Sequence, residues 1–227
     1  MDFTGNRHRE AWPREVFDLE CRDCPRLDAF LQGVRRDRPD YHAHPVPPFG
    51  DPWASLLVVG LAPGMHGANR TGRPFTGDFA GILLYRTLHR HGFASHAGSA
   101  DPDDGLRLTG CRVTNAVKCL PPQNKPAPAE MRCCNRYLAA ELSTYPPRAI
   151  LALGRIAHDA VLRARGIGLG GYRFAHHAVH DLPGGLRLFD SYHCSRYNTQ
   201  TKRLTEAMFE AVVGDIAGFL GRPSPGG

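Results

Sequence analysis

The chain has 227 residues, 42% of them hydrophobic and 22% charged, with 25 Gly, 19 Pro and a formal net charge of +6. Its Gly and Pro content stays below the roughly 25–30% of low-complexity chain, which excludes disorder and collagen, and the length suffices for a sizeable core. The longest apolar stretch, Ala54–Met65, is broken by Gly60, Pro63 and Gly64 and falls far short of the ~18–20 residues of a membrane-spanning helix.

In chain order, residues 1–53 read as an irregular segment rich in Arg, Pro and His, with one short helix predicted over Pro25–Val34. The opening run MDFTGNRHREAWPRE is too polar for a secretory h-region, so a cytoplasmic protein is expected. Ala54–Leu61 (ASLLVVGL) is continuous and aliphatic, the pattern of a strand buried on both faces. Asp78 is placed to N-cap a helix reaching about His91. A second strand follows at Arg112–Val117. Pro128–Tyr145 reads as a helix with Pro128 at its start and Glu130 in its first turn, where both are favourable. Arg148–Leu153 is a third strand, and a helix runs from Gly154 to about Arg165. Leu186–Tyr192 is a fourth strand, Thr201–Leu220 a long closing helix, and 222–227 a frayed tail. This alternation implies parallel strands joined by right-handed crossovers. The expected architecture is a single domain over residues 1–227, a three-layer α/β/α fold around a four-stranded, mainly parallel sheet. Ligands of such sheets bind beyond the carboxyl ends of the strands. Three motif-like segments fall there: Gly60–Asp78, Asn115–Lys125 and His193–Lys202.

The chain has 7 cysteines, at positions 21, 24, 111, 119, 133, 134 and 194. An odd count without a signal peptide points to metal binding or catalysis rather than a disulfide framework. Cys21 and Cys24 form a C-x₂-C pair, Cys119 follows the second strand, and Cys134 lies in the next helix. Four thiolates suit a [4Fe–4S] cluster or a structural zinc. Cys111, Cys133 and Cys194 read as ordinary buried thiols, although Cys133 adjoins Cys134 and leaves the choice of four open. His176, His177 and His180 look like metal ligands but are read as loop residues. Of the 28 cations, all except Lys118, Lys125 and Lys202 are Arg. That bias suits phosphate recognition, and equally a GC-rich coding bias.

The segment GLAPGMHGANRTGRPFTGD (Gly60–Asp78) makes a sharp Gly/Pro turn out of a strand and into a helix. It lacks the P-loop pattern, and the chain lacks the H-x-E…P-C-x-x-C signature of zinc deaminases. GLAPG, NRTGRPFTGD, VTNAVKCLPPQNKP and SYHCSRYNTQT, in that order, resemble the uracil-DNA glycosylase superfamily. The match is closest to its fifth, type-b family, found in bacteria and archaea with a four-cysteine iron–sulfur cluster, and it covers about residues 18–220. The resemblance implies a monofunctional glycosylase that hydrolyses the N-glycosidic bond of uracil in DNA, initiating base excision repair. It extends the substrates to other deaminated bases such as hypoxanthine. It also implies a [4Fe–4S] cluster (zinc is the lesser alternative) on Cys21, Cys24, Cys119 and Cys134, and a monomer acting on double-stranded and in some cases single-stranded DNA.

Site roles carry over position by position. The related type-a family has GEAPG, whose Glu helps to activate water; Leu61 stands there in this chain and cannot take a proton. The catalytic carboxylate then falls to Asp78, for which helix capping is the competing role. Phe75 is the plate on which uracil stacks, with core packing as its alternative. Asn115 reads the base edge, and Asn124 acts in its place or holds the loop. Leu61, Ala62 and Gly64 line the pocket. His193 donates to uracil O2 as negative charge develops on the leaving base, so the base is expected to lie between Phe75 and His193. Ser195, Arg196, Tyr197 and Lys202 are expected to enter the duplex and grip phosphates. The competing function is a non-catalytic nucleic-acid-binding module of the same fold, its base lost with Leu61.

Overall fold

Alternate residues of the buried strands feed two separate cores in the computed structural model, which describes residues 12–222. Leu56 and Val58 of β2 (Leu56–Gly60) pack on one face, with Val113, Leu151 and Phe189; Leu57 and Val59 pack on the other, with Ile150, Ala152 and Leu188. The first face is covered by α3 (Phe79–Arg90) and α7 (Glu206–Phe219), the second by α4 (Pro128–Thr144) and α5 (Arg155–Ala164). Fully burying each large aliphatic side chain is worth about 1.5–3 kcal/mol, so a sheet covered on both faces selects β-branched and aliphatic runs. The three-layer α/β expectation holds.

The strand count does not. Among the described residues the sheet has six strands, in the order β1 (Phe49–Gly50), β3 (Cys111–Asn115), β2, β4 (Ala149–Leu153), β6 (Leu186–Ser191), β5 (Val179–Leu182). The expected four are β2, β3 (Cys111–Asn115), β4 (Ala149–Leu153) and β6 (Leu186–Ser191), and they pair in parallel. Two short antiparallel edges, β1 (Phe49–Gly50) and β5 (Val179–Leu182), stand where the sequence reads as irregular chain. Neither shows a clean apolar pattern, because edge strands are half solvated. β5 corrects one reading directly: His180 is a strand residue, not a loop residue.

Other boundaries shift for local reasons. The first helix, α1 (Pro25–Asp37), runs past the predicted Val34. The closing helix is divided. Ser195 caps a short α6 (Arg196–Gln200), Lys202 turns the chain at φ 58°, and the Thr205 side chain accepts from Met208 N–H to start α7. Arg222 is not frayed: it donates 2.7 Å bonds to the Gly92 and Thr109 carbonyls and lies over the Phe93 ring. The rest of the tail, 223–227, and the opening residues 1–11 lie outside the described residues. Among those described, no helix is long and apolar enough to cross a membrane.

One buried ion network ties β3 to α4. Arg112 donates to Glu141 at 2.7 Å and to the Tyr145 carbonyl at 3.1 Å, and it also bonds the Pro52 carbonyl. Lys118 reaches Glu141 at 3.4 Å and bonds Thr114. Arg112 and Glu141 are completely shielded from solvent, so each charge depends on its partners.

Candidate active site

β2 leaves the sheet through the short α2 (Ala68–Thr71) towards α3 on one face, and β4 leaves it towards α5 on the other. Their ends therefore diverge and open a crevice at the switch point. A cavity of about 360 Å³ lies there, lined by Leu61, Ala62, Gly64, Phe75, Asp78, Asn115, Asn124, His193 and Ser195. Two catalytic and six substrate-binding candidates, drawn from four separate segments, thus share one cleft.

Asp78 caps α3, its Oδ1 accepting from Gly81 N–H at 2.9 Å. Burial raises its pKa above the ordinary carboxylate value, opposed by the Gly81 and Ala80 N–H groups. Oδ2 lies against the backbone of the β2–α3 loop: a Cβ at Gly67 would stand 2.5 Å from it. Capping and cleft exposure therefore coexist, because one oxygen serves the helix and the other does not.

Phe75 is buried with φ at 54°, a left-handed conformation that is costly outside glycine. Its surroundings impose that conformation. Tyr85 Oη donates to the Pro74 carbonyl at 2.7 Å. Arg73, itself only 6% exposed, holds Asp104 through paired 2.9 and 2.7 Å bonds, the Asp101 carbonyl at 2.7 Å, and Thr76 at 2.7 Å. Close approach then demands glycine at two places. A Cβ on Gly81 would meet the Phe75 carbonyl oxygen at 1.8 Å, and one on Gly60 would meet Asn115 Oδ1 at 2.5 Å and Phe75 Cζ at 2.6 Å.

Asn115 is the last residue of β3. It is buried, and its Oδ1 has no hydrogen-bond partner among the described residues. His193 follows β6; its carbonyl accepts from Asn198 Nδ2 at 2.8 Å, while its imidazole makes no hydrogen bond among the described residues. One edge of the ring meets the cleft and protein encloses the rest, so burial pushes its pKa down to about 4. The ring is neutral at physiological pH and keeps one N–H donor. Phe75 and His193 are near-parallel, 5.9 Å between centroids at 29°. A base between them needs roughly 7 Å, twice the ~3.4 Å stacking distance. The expectation of a base sandwiched by these rings is therefore corrected: they face the same space from adjacent positions.

Asn124 lines the rim from an exposed loop, with φ at 56°. Ser195 lines the cleft and caps α6. Arg196 is exposed over the Phe79 ring, Tyr197 is 70% exposed, and Lys202 is exposed at the turn. These form a cationic, aromatic lip beside the cleft.

Behind the cleft wall lies the thiol group. Cys21, Cys24, Cys119, Cys133 and Cys134 surround one small enclosure, with Lys118, Arg136 and Tyr137. The reading of Cys133 as an ordinary buried thiol fails: it is half-buried and meets Cys24 there, beside Cys134 on α4. Cys111 and Cys194 are buried apart from it, as expected. Burial and neighbouring sulfurs push Cys24 up to about 12, and raise Cys119 and Cys134 as well. Lys118 N–H donates to Cys134 Sγ at 3.3 Å, and Arg136 approaches Cys21 Sγ at 3.8 Å. Ala62 packs against this group and also lines the cleft, so the thiols brace the loop that carries Leu61 and Gly64.

Sequence reasoning missed Gly67, Gly81, Arg73, Asp104 and Tyr85. Gly67 and Arg73 stand in the motif and Gly81 in the first turn of α3, but the contacts that require them lie up to 31 residues away.

Residues 47–217 match the Uracil DNA glycosylase superfamily. The chain is 51% identical over 212 residues to the type-5 uracil-DNA glycosylase of Thermus thermophilus, covering 90% of this chain and 95% of that protein. It is 40% identical over 227 residues to the type-5 enzyme of Pyrobaculum aerophilum, covering 97% and 99%. Against the type-5 enzyme of Mycobacterium bovis the identity is 45% over 211 residues, covering 88% and 78%. With a switch-point cleft that holds one carboxylate, one neutral imidazole and an unpaired amide, the chain belongs to the uracil-DNA glycosylase superfamily.

Proposed function

We propose that this protein excises uracil from DNA by hydrolysing the N-glycosidic bond. The observation that carries the reading is the convergence of Asp78, Phe75, Asn115 and His193 on one cleft. Water adds through oxygen to C1′, the base leaves with the bonding electrons, and a proton from that water restores the neutral base. Asp78, the one carboxylate lining the cleft among the described residues, faces the sugar, where it positions water and stabilises the cation-like transition state. His193, neutral, donates its N–H to uracil O2 as charge develops there. A neutral donor stabilises the leaving base without forming an ion pair with Asp78. Asn115 offers both a donor and an acceptor, matching the adjoining C=O and N–H of uracil. Hypoxanthine presents the same pair of groups, which supports it as a second substrate.

Extruding the nucleotide costs a few kcal/mol, and in this reading the lip of Ser195, Arg196, Tyr197 and Lys202 holds the opened double strand. A single chain supplies every group used, so a monomer suffices, in the cytoplasm with its DNA. Cys21, Cys24, Cys119 and Cys134 are proposed to hold a [4Fe–4S] cluster. The donor set fits: these thiols converge on one enclosure, where burial and mutual repulsion disfavour bare thiolates and a cationic cluster would offset both. Among the described residues, no set of three cysteine sulfurs lies within 4.8 Å of one another. Thiolates around one zinc would sit ~3.8 Å apart, given Zn–S bonds of ~2.3 Å. The cluster supplies no step of a hydrolysis; it ties the N-terminal segment to the cleft wall. The test is abasic-site formation in a uracil-containing duplex, wild type against Asp78→Asn. Wild type should convert the duplex. No abasic product from a folded wild type would leave the nucleic-acid-binding module instead.

A further inference from the structure

On the α5 face of the sheet, the completely buried Asp190 of β6 sits between two histidines. Its Oδ1 is 2.8 Å from His158 Nδ1 on α5, and its Oδ2 is 3.1 Å from His180 Nε2 on β5. The three groups offer donor atoms that all lie within 4.8 Å of one another. His158 Nε2 lies 3.0 Å from the Tyr172 carbonyl oxygen. A carbonyl only accepts, so Nε2 carries the ring proton and the Nδ1 lone pair of the neutral ring points at the carboxylate. Two lone pairs do not face each other at 2.8 Å in a buried site without a cation between them. That cation is a proton or a metal ion.

We propose that His158, His180 and Asp190 form a binding site for a single zinc-class ion, unrelated to the thiols. Two imidazoles and a carboxylate are a donor set for a borderline divalent ion. The 2.8 and 3.1 Å separations approach the ~3.3 Å between ligands of a tetrahedral ion with ~2.0 Å bonds. A ring whose far nitrogen donates to a backbone carbonyl is oriented as metal-bound histidines are. Phe174 meets the His158 ring at 5.8 Å and Tyr172 meets the His180 ring at 5.8 Å, both edge-on, and they screen the site. The ion would join α5, β5 and β6 just before the chain leaves the sheet for His193, so it would steady the segment that delivers the imidazole to the cleft.

The test uses the full chain, stripped with a chelator at neutral pH, titrated with Zn²⁺, desalted and assayed for zinc and iron by mass spectrometry. His180→Gln keeps an amide N–H for Asp190 but supplies no imidazole ligand; His158→Gln is the second variant should the first fail to fold. Wild type should retain one zinc per chain and melt at a higher temperature with Zn²⁺ than without. Each variant should bind at least ~10-fold more weakly and lose the thermal shift. Retention of zinc by both variants at the wild-type level would place the metal elsewhere and overturn the proposal. So would absence of zinc from the wild type, leaving a proton as the shared cation.

Discussion

Arg112 and Asn115 are both buried polar side chains of β3, and the contrast between them separates what holds this protein together from what it uses. Arg112, near the start of the strand, has its guanidinium bonded to Glu141 and backbone carbonyls. Asn115, at the end, has an amide oxygen with no partner. The same division extends outward: Glu141 and Lys118 pair around Arg112, whereas His193 and Asp78 line an open cleft. A buried polar atom left unpaired costs about 1–3 kcal/mol. At Asn115, which lines the cleft, a ligand can supply the missing bond. Variants on the two sides should therefore fail in opposite ways.

The largest effect should come from Asp78→Asn. Asparagine caps helices as well as aspartate does, so the melting temperature should stay within a degree or two. The single-turnover rate should fall by about 10²–10⁴. A large loss of stability with normal activity would make Asp78 a cap and nothing more. Arg112→Met should reverse the pattern. It leaves Glu141 buried with Lys118 as its one cationic partner, and urea denaturation should show a loss of about 3–5 kcal/mol. Whatever fraction remains folded should form abasic sites in uracil-containing DNA at the normal rate.

His193→Ala removes a donor to the leaving base and should slow single turnover by about 10²–10³ while DNA binding persists. Gly67→Ala would set a methyl 2.5 Å from Asp78 Oδ2. Its rate should fall by less than that of Asp78→Asn, because the carboxylate is displaced rather than removed. The smallest signal is in the pH profile. In the proposed reaction Asp78 works ionised, and burial raises its pKa, so the rate should drop as pH falls through a value above the ordinary 3.8. His193 titrates at about 4 and stays neutral above pH 5, so no limb should appear near 6.5. A limb there, surviving in Asp78→Asn, would mean a histidine whose charge the chemistry needs.

Much of this arrangement was legible in the chain. Leu56–Gly60 and Ala149–Leu153 announced buried parallel strands because both faces of each are covered, so no polar residue interrupts them. Asp78 and the Thr205 boundary show the difference between a cap seen and a cap missed. Asp78 preceded an obvious helix, whereas Thr205 was hidden inside a run that reads as helical throughout. β1 and β5 were invisible because an edge strand of two or four residues has too few positions to show a period. His180 was misread for that reason, and its partner Asp190 looked like any charge in a strand.

By itself the sequence determined the layer order, the parallel core and the motifs that collect at one end of it, since these follow from apolar periodicity and connection length. Only the tertiary structure decided which atoms meet. That Gly60 must make room for Phe75 and Asn115, that Cys133 joins the other four thiols, and that Asp190 sits between His158 and His180 are all contacts between segments far apart in the chain. Such contacts depend on how rigid layers dock, to fractions of an ångström, and local residue patterns carry no record of that docking.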